Sequence, residues 1–200
     1  MKRKRRTTAA IAAIGSKFIL SIVALWMLST HVVQAQCTAI NEAFLPGEKI
    51  EYDLYFNWKF IWKKVGTASL KTDSATYNGK RGYVMDLLTK GSKQADFFFK
   101  MRDTLTCITT PQLEPLYFRK GAEEGSHYTV DEVRFGYEDG KCIVDQQRYR
   151  RGKGTTKTKE VSDQCVFDML SILLQARSFD PTHYKVGDKI LFPMATGRKV

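Results

Sequence analysis

Histidine, proline and closely spaced cysteines are all scarce in this chain, and each scarcity closes off a class of function. Three histidines occur in 200 residues. His31 sits in the N-terminal apolar region, which leaves His127 and His183 as candidate bases. Nucleophilic catalysis needs a base within reach of a serine or cysteine. Ser126 and His127 are neighbours in a segment that reads as a strand, so their side chains point to opposite faces, and His183 follows Pro181-Thr182 in an expected loop. No catalytic residues are expected on this ground. Cys37, Cys107, Cys142 and Cys165 lie far apart with no C-x-x-C spacing, which points away from a zinc ribbon and from a thioredoxin-type pair. Four thiols allow three complete pairings and the spacing does not choose among them. Cys142, inside Lys141-Cys142-Ile143-Val144, reads equally well as a single buried thiol on a strand face. No metal-ligand motif is present, nor a glycine-rich phosphate loop between a strand and a helix. Neither a metal nor a cofactor is expected.

The apolar run from Phe18 to Leu28, interrupted by Ser21, falls short of the ~20 residues that span a bilayer. It is preceded by Met1-Lys2-Arg3-Lys4-Arg5-Arg6, five positive charges without an acid, and followed by Val33-Gln34-Ala35. Charged start, short apolar core and small residues at the cut are the three parts of a secretory signal peptide, here residues 1–35 with cleavage after Ala35. Cys37 raises a second reading, an acylated lipoprotein cysteine, but Gln36 stands where that chemistry wants a small residue. The expected product is an exported chain beginning at Gln36, in the periplasm or outer envelope, with no transmembrane span left after cleavage. Residues 1–35 hold six of the 32 Lys and Arg residues and none of the 21 acids, so the remainder carries 26 basic against 21 acidic residues, a net +5. Just over half of the +11 is targeting signal, and the modest remainder suits solubility or an anionic envelope surface better than nucleic acid.

Beyond a short N-terminal lead, residues 36–46, the pattern is that of a single β-rich domain, residues 47–200. Pro46-Gly47 marks a turn, and Ile50, Tyr52, Leu54, Phe56 and Trp58 then alternate with Glu51, Asp53, Tyr55 and Asn57, the signature of a half-buried strand. A second strand, about Phe60 to Thr72, contains Gly66-Thr67-Ala68-Ser69, small residues that suit a bulge or a close approach. Asn78-Gly79 and Asp139-Gly140 are hairpin turns. Further strands are expected at Arg81 to Thr89, Asp96 to Thr109, Leu113 to Lys120, His127 to Glu138 and Lys141 to Arg150, with a short one at Lys189 to Met194. Consecutive hairpins make a mainly β fold, an antiparallel meander forming a barrel-like or layered sheet.

One helix interrupts it. Gln164 to Ala176 places Val166, Met169, Leu170, Leu173 and Leu174 at helical spacing, with Asp163 as N-cap and Gln175 on the other side, so one amphipathic helix is expected to pack on the sheet. Gly197-Arg198-Lys199-Val200 reads as a turn into a further strand, and a longer natural chain is expected.

The sequence Pro46-Gly47-Glu48-Lys49-Ile50-Glu51-Tyr52-Asp53-Leu54, the Gly66-Thr67-Ala68 of the second strand, Asp168-Met169-Leu170-Ser171 followed by Arg177, and Gly187-Asp188-Lys189-Ile190 before Phe192-Pro193 together resemble the exported bacterial family known as domain of unknown function 3108. The resemblance runs from about residue 45 to the end of the chain. It implies a β-rich, barrel-like domain with one helix, exported to the Gram-negative envelope, and it supplies no catalytic residues.

Two groups of residues can carry chemistry. Glu51 and Asp53 share one face of the first strand, about 7 Å apart by strand rise, with Tyr55 beside them; paired carboxylates serve glycoside hydrolysis, and they are also what an ordinary solvated strand face looks like. In Tyr55-Phe56-Asn57-Trp58-Lys59-Phe60-Ile61-Trp62-Lys63-Lys64, Trp58 and Trp62 form either a platform for sugars or acyl chains or a hairpin whose aromatics fill the core. Phe97-Phe98-Phe99 reads as part of a strand buried on two sides. The basic tract from Arg148 to Gly154, running on to Lys157 and Lys159, reads as a flexible hairpin tip or as a contact for anionic lipid or polysaccharide. The function expected is that of a non-catalytic envelope protein binding an apolar or glycan ligand, a lipid or glycan of the envelope, through Trp58, Trp62, Tyr55, Glu51 and Asp53. The alternatives are a carbohydrate-active hydrolase and a scaffold for other envelope proteins.

Overall fold

The computed structural model describes residues 37–200; the expected signal peptide lies outside the described residues. Eight strands follow one another: β1 Lys49–Trp58, β2 Ile61–Tyr77, β3 Lys80–Gly91, β4 Met101–Thr109, β5 Pro115–Glu124, β6 His127–Glu138, β7 Lys141–Arg150 and β8 Gly154–Ser162. A short helix, α1 Lys93–Phe98, joins β3 to β4, and a second, α2 Met169–Arg177, follows β8. All neighbouring strands are antiparallel and their order in the sheet is their order in sequence. Among the described residues β1 pairs only with β2 and β8 only with β7, so the meander is an open layered sheet and not a closed barrel.

The turns form where the local chemistry favours positive φ. Asn78 and Gly79 have φ of 48° and 77°, and Asp139 and Gly140 have 50° and 74°, the geometry whose twist matches that of the flanking strands. Leu54 faces Gly66 while Tyr55 faces Lys64, so Val65 is the extra residue of a bulge. Gly66 beside it is required by space, since a Cβ there would sit 2.4 Å from the Lys90 carbonyl oxygen.

One face of the sheet is apolar. Leu70, Met85, Cys107, Phe118, Val133 and Val144 come from six successive strands into a common core, and each occupies alternate positions of its strand because side chains alternate across a sheet. Val166, Leu170 and Leu174 cover that face from α2 and the segment before it, with Phe44 and Ala195 from the two ends of the described chain. Several links fasten these covering segments to one another and to the sheet. A disulfide joins Cys37 to Cys165 across 128 residues. Arg177 makes two hydrogen bonds to Glu48, at 2.7 and 2.8 Å, and lies over the Phe44 ring. Gly197 donates to Gln146 Oε1 at 2.9 Å, and Arg148 bridges Asp131 and the Thr196 carbonyl. Cys107 and Cys142 are buried free thiols.

Several expectations are corrected. α2 starts at Asp168 and not at Asp163, because Asp168 Oδ1 accepts from Leu170 N and Ser171 N while Ser171 Oγ accepts from Asp168 N, a reciprocal box that Asp163 has no partner residue to form. Its buried residues are Leu170, Ser171, Leu174 and Gln175, whereas Met169 and Leu173 are 43% and 38% exposed. Gln175 therefore faces inward, donating to the Cys37 and Leu113 carbonyl oxygens. Lys189 to Met194 is not a strand; one parallel bridge, Phe167 to Met194, replaces it. β1 is an edge strand with little cover, and Tyr52, Tyr55 and Phe56 are about half exposed. The basic tract does hold a hairpin tip: residues 151–153 are the turn between β7 and β8, and Lys157 and Lys159 lie on β8.

The remaining correction concerns Phe97-Phe98-Phe99. These residues do not lie in a strand buried on two sides. Ser92 Oγ accepts from Ala95 N and starts α1, Asp96 on its first turn pairs with Arg102, and the first residue of β4 is Met101. Phe97 and Phe98 are 86% and 85% exposed.

Candidate functional site

The uncovered end of the sheet, where the β1–β2 hairpin meets α1, is where exposed apolar surface accumulates. Phe60 at the hairpin turn, Trp62 on β2 and Phe97 and Phe98 on α1 are each more than two-thirds exposed. Such a concentration is atypical of surface that meets only water. Tyr55, Phe56, Phe60 and Trp62 do not fill the core, because the core-facing register of β2 begins only past the bulge, at Gly66, and Ala68, Leu70 and Thr72 continue it inward.

Between hairpin and helix runs a groove of about 530 Å³, within the ~300–1,000 Å³ common to small-molecule sites. Phe56 and Val65 form one wall and Ala95, Phe98, Phe99 and Met101 the other. Among the described residues, polar side chains enter from Lys63, Lys64, Ser92 and Gln94. The helix wall is held by the Ser92 cap and by the Asp96–Arg102 pair, and the Arg102 guanidinium keeps the Asp96 carboxyl below its ordinary range.

A second concavity, about 710 Å³, shares Lys64, Gly91, Ser92 and Gln94 with the groove and has more charged residues in its lining. Lys90, Lys93 and Arg102 line it together with Asp96. Among the described residues, Lys64 pairs with Asp53 at 2.6 Å and Arg102 with Asp96, while Lys90 and Lys93 enter no salt bridge.

Of the sequence-predicted site residues, Glu51 and Asp53 come together, lining a depression of about 510 Å³ with Thr67, Ser69 and Lys90. Glu51 pairs with Lys49 at 2.7 Å and Asp53 with Lys64, both in solvent-exposed settings. Glycosidase chemistry separates two carboxyl groups into acid and base by giving them different environments; here both are exposed carboxylates held by lysines. Tyr55 is 55% exposed and pairs with Lys64 across the hairpin, Trp58 ends β1 opposite Ile61, and Trp62 is 69% exposed opposite Asn57. Glu51, Asp53, Tyr55 and Trp62 do not line the apolar groove. Sequence reasoning missed the helix wall because Phe97-Phe98-Phe99 fits a strand by apolarity alone; the signal that would have found it is Ser92 four residues before Asp96, a helix start. No group of three or more His, Cys, Asp or Glu able to hold a metal occurs among the described residues.

A family model described as a protein of unknown function, DUF3108, matches residues 51–200. The chain belongs to the DUF3108 family. The match begins inside β1 and includes the groove, the sheet and α2. No curated protein and no solved structure matches. Membership in DUF3108 brings no activity with it, so the chemistry of this member has to be argued from its own residues. Within the described part of the DUF3108 chain no helix is long and apolar enough to cross a membrane.

Proposed function

We propose that this DUF3108 protein is exported to the cell envelope and there binds an apolar ligand without transforming it. The groove between the β1–β2 hairpin and α1 carries this reading: its walls are apolar side chains, and it opens beside exposed Phe60, Trp62, Phe97 and Phe98. Burying an acyl chain there removes ligand and protein surface from water together. Export is supported by the charged start and short apolar core of residues 1–35, and by the Cys37–Cys165 bridge, which an oxidising compartment preserves.

The test is titration of the protein with N-phenyl-1-naphthylamine, whose fluorescence rises in apolar surroundings, followed by displacement with a long-chain fatty acid. Ala95→Trp, which fills the groove from its helix wall, should weaken reporter binding roughly tenfold or more while leaving the melting temperature near that of the wild type. Unchanged binding by Ala95→Trp would remove the groove as the site. Hydrolysis of envelope glycans that vanished in Glu51→Gln or Asp53→Asn would replace the proposal by the enzymatic reading.

A further inference from the structure

The apolar groove and the cationic concavity are two compartments with a common wall, since Lys64, Gly91, Ser92 and Gln94 line both. A ligand seated in the groove can therefore extend past these shared residues into the neighbouring concavity. The charge balance of the second compartment is one-sided. Lys64, Lys90, Lys93 and Arg102 are set against Asp96, within the compartment, while Asp53, which holds Lys64, and Glu51, which pairs with Lys49, lie in the adjoining depression that Lys90 also lines. Lys90 and Lys93 are left without a salt-bridge partner among the described residues. They come from different elements, Lys90 from the end of β3 and Lys93 from the start of α1. Gly91 and Ser92 alone separate them in sequence, so the β3-to-α1 turn itself aims both at the same space.

We infer that the site selects an amphiphile with an anionic head, a single-chain carboxylate or phosphate, placing the apolar tail in the groove and the head against Lys90 and Lys93. This rests on the apolar-binding reading above and adds the class of ligand to it. A purely apolar ligand would leave the lysines with nothing to do. A neutral sugar would gain little from them, because an ammonium recognises charge more strongly than a hydroxyl. An anion approaching Lys90 and Lys93 meets two cations without having to displace a carboxylate from either.

The experiment uses the full chain as isolated from the producing cells and the same naphthylamine reporter, displaced at neutral pH by palmitate, by lysophosphatidate and by hexadecanol. The anions should displace the reporter at concentrations about tenfold lower than the alcohol, and the advantage should shrink as salt is added. In the Lys90→Gln/Lys93→Gln double variant the anions and the alcohol should become alike, with the reporter's own affinity unchanged. Tighter displacement by lysophosphatidate assigns a phosphate head, and tighter displacement by palmitate a carboxylate head. Equal displacement by anions and alcohol in the wild type would overturn the inference and leave the apolar site standing. A double variant that kept the full anion preference would overturn the assignment to these two lysines. A reporter that does not bind at all would overturn both readings.

Discussion

Asp168 shows how much one buried carboxyl does in this fold. It is fully buried, and its Oδ1 accepts from the backbone of Leu170 and Ser171. Burial pushes its pKa up to about 6, with the hydrogen bonds from Ser171 and Leu170 opposing the rise. A folded value above the ordinary 3.8 means that the folded chain holds the proton more tightly than the unfolded one. The stabilising contribution is complete below about pH 4 and is lost as pH rises through 6, an expense of roughly 3 kcal/mol at neutrality. Asp168→Asn keeps the Oδ1 acceptor and removes the titration. Urea unfolding of the two proteins from pH 4 to 7 should show the variant gaining on the wild type across that window. Parallel curves would mean that the carboxyl is not desolvated as the structure places it.

At the scale of the element, α2 draws its stability from the sheet, because a nine-residue helix is marginal by itself in water. Leu170 is 2% exposed, and Leu170→Ala should cost about 2–5 kcal/mol. Gln175 is nearly as buried, and Gln175→Ala should cost about 1–3 kcal/mol, since the carbonyl groups of Cys37 and Leu113 lose their donor. Met169→Ala, on a side chain 43% exposed, should cost less than either. Thermal unfolding orders the three. Gln175→Ala milder than Met169→Ala would show that the helix is rotated from the face described. The open edges belong to this scale too. β2 carries a bulge opposite the midpoint of β1, which bends that edge, and β8 presents Lys157 and Lys159, two devices that discourage pairing with another chain.

At the scale of the whole molecule, the Cys37–Cys165 bridge ties the N-terminal lead to the segment that enters α2, closing all eight strands within one loop. Cys37→Ser should cost about 2–5 kcal/mol. Burial raises the thiol pKa values of Cys107 and Cys142 and shields both from reagents. Thiol titration without reductant should therefore find none in the native protein and two after unfolding. Four after unfolding would mean that the bridge is absent, and a reactive thiol in the native protein would mean that the core is open. A bridged Cys37 also leaves no sulfur for acylation, so the intact mass of the native chain checks the same bond.

The amino-acid sequence by itself determined the meander. Period-two alternation, Asn78-Gly79 and Asp139-Gly140 act within a few residues of themselves, and β6 and β7 run as the pattern dictates. Gly66 announced a bulge and close approach for the same local reason. Membership in DUF3108 was legible in motifs spread along the chain, since the order of local elements survives without knowing what they touch. What only the tertiary structure decided depends on contacts between distant segments. The inward face of α2 is set by what Gln175 meets on Cys37 and Leu113, the cysteine pairing by where residues 37 and 165 arrive, and the exposure of β1 by its place at the edge of the described sheet. The groove is of the same kind. Lysines and phenylalanines at residues 56–65 and 90–101 carry no sign in their own spacing that they share a wall, and they do so because the bulge at Val65 and the cap at Ser92 bring hairpin and helix together.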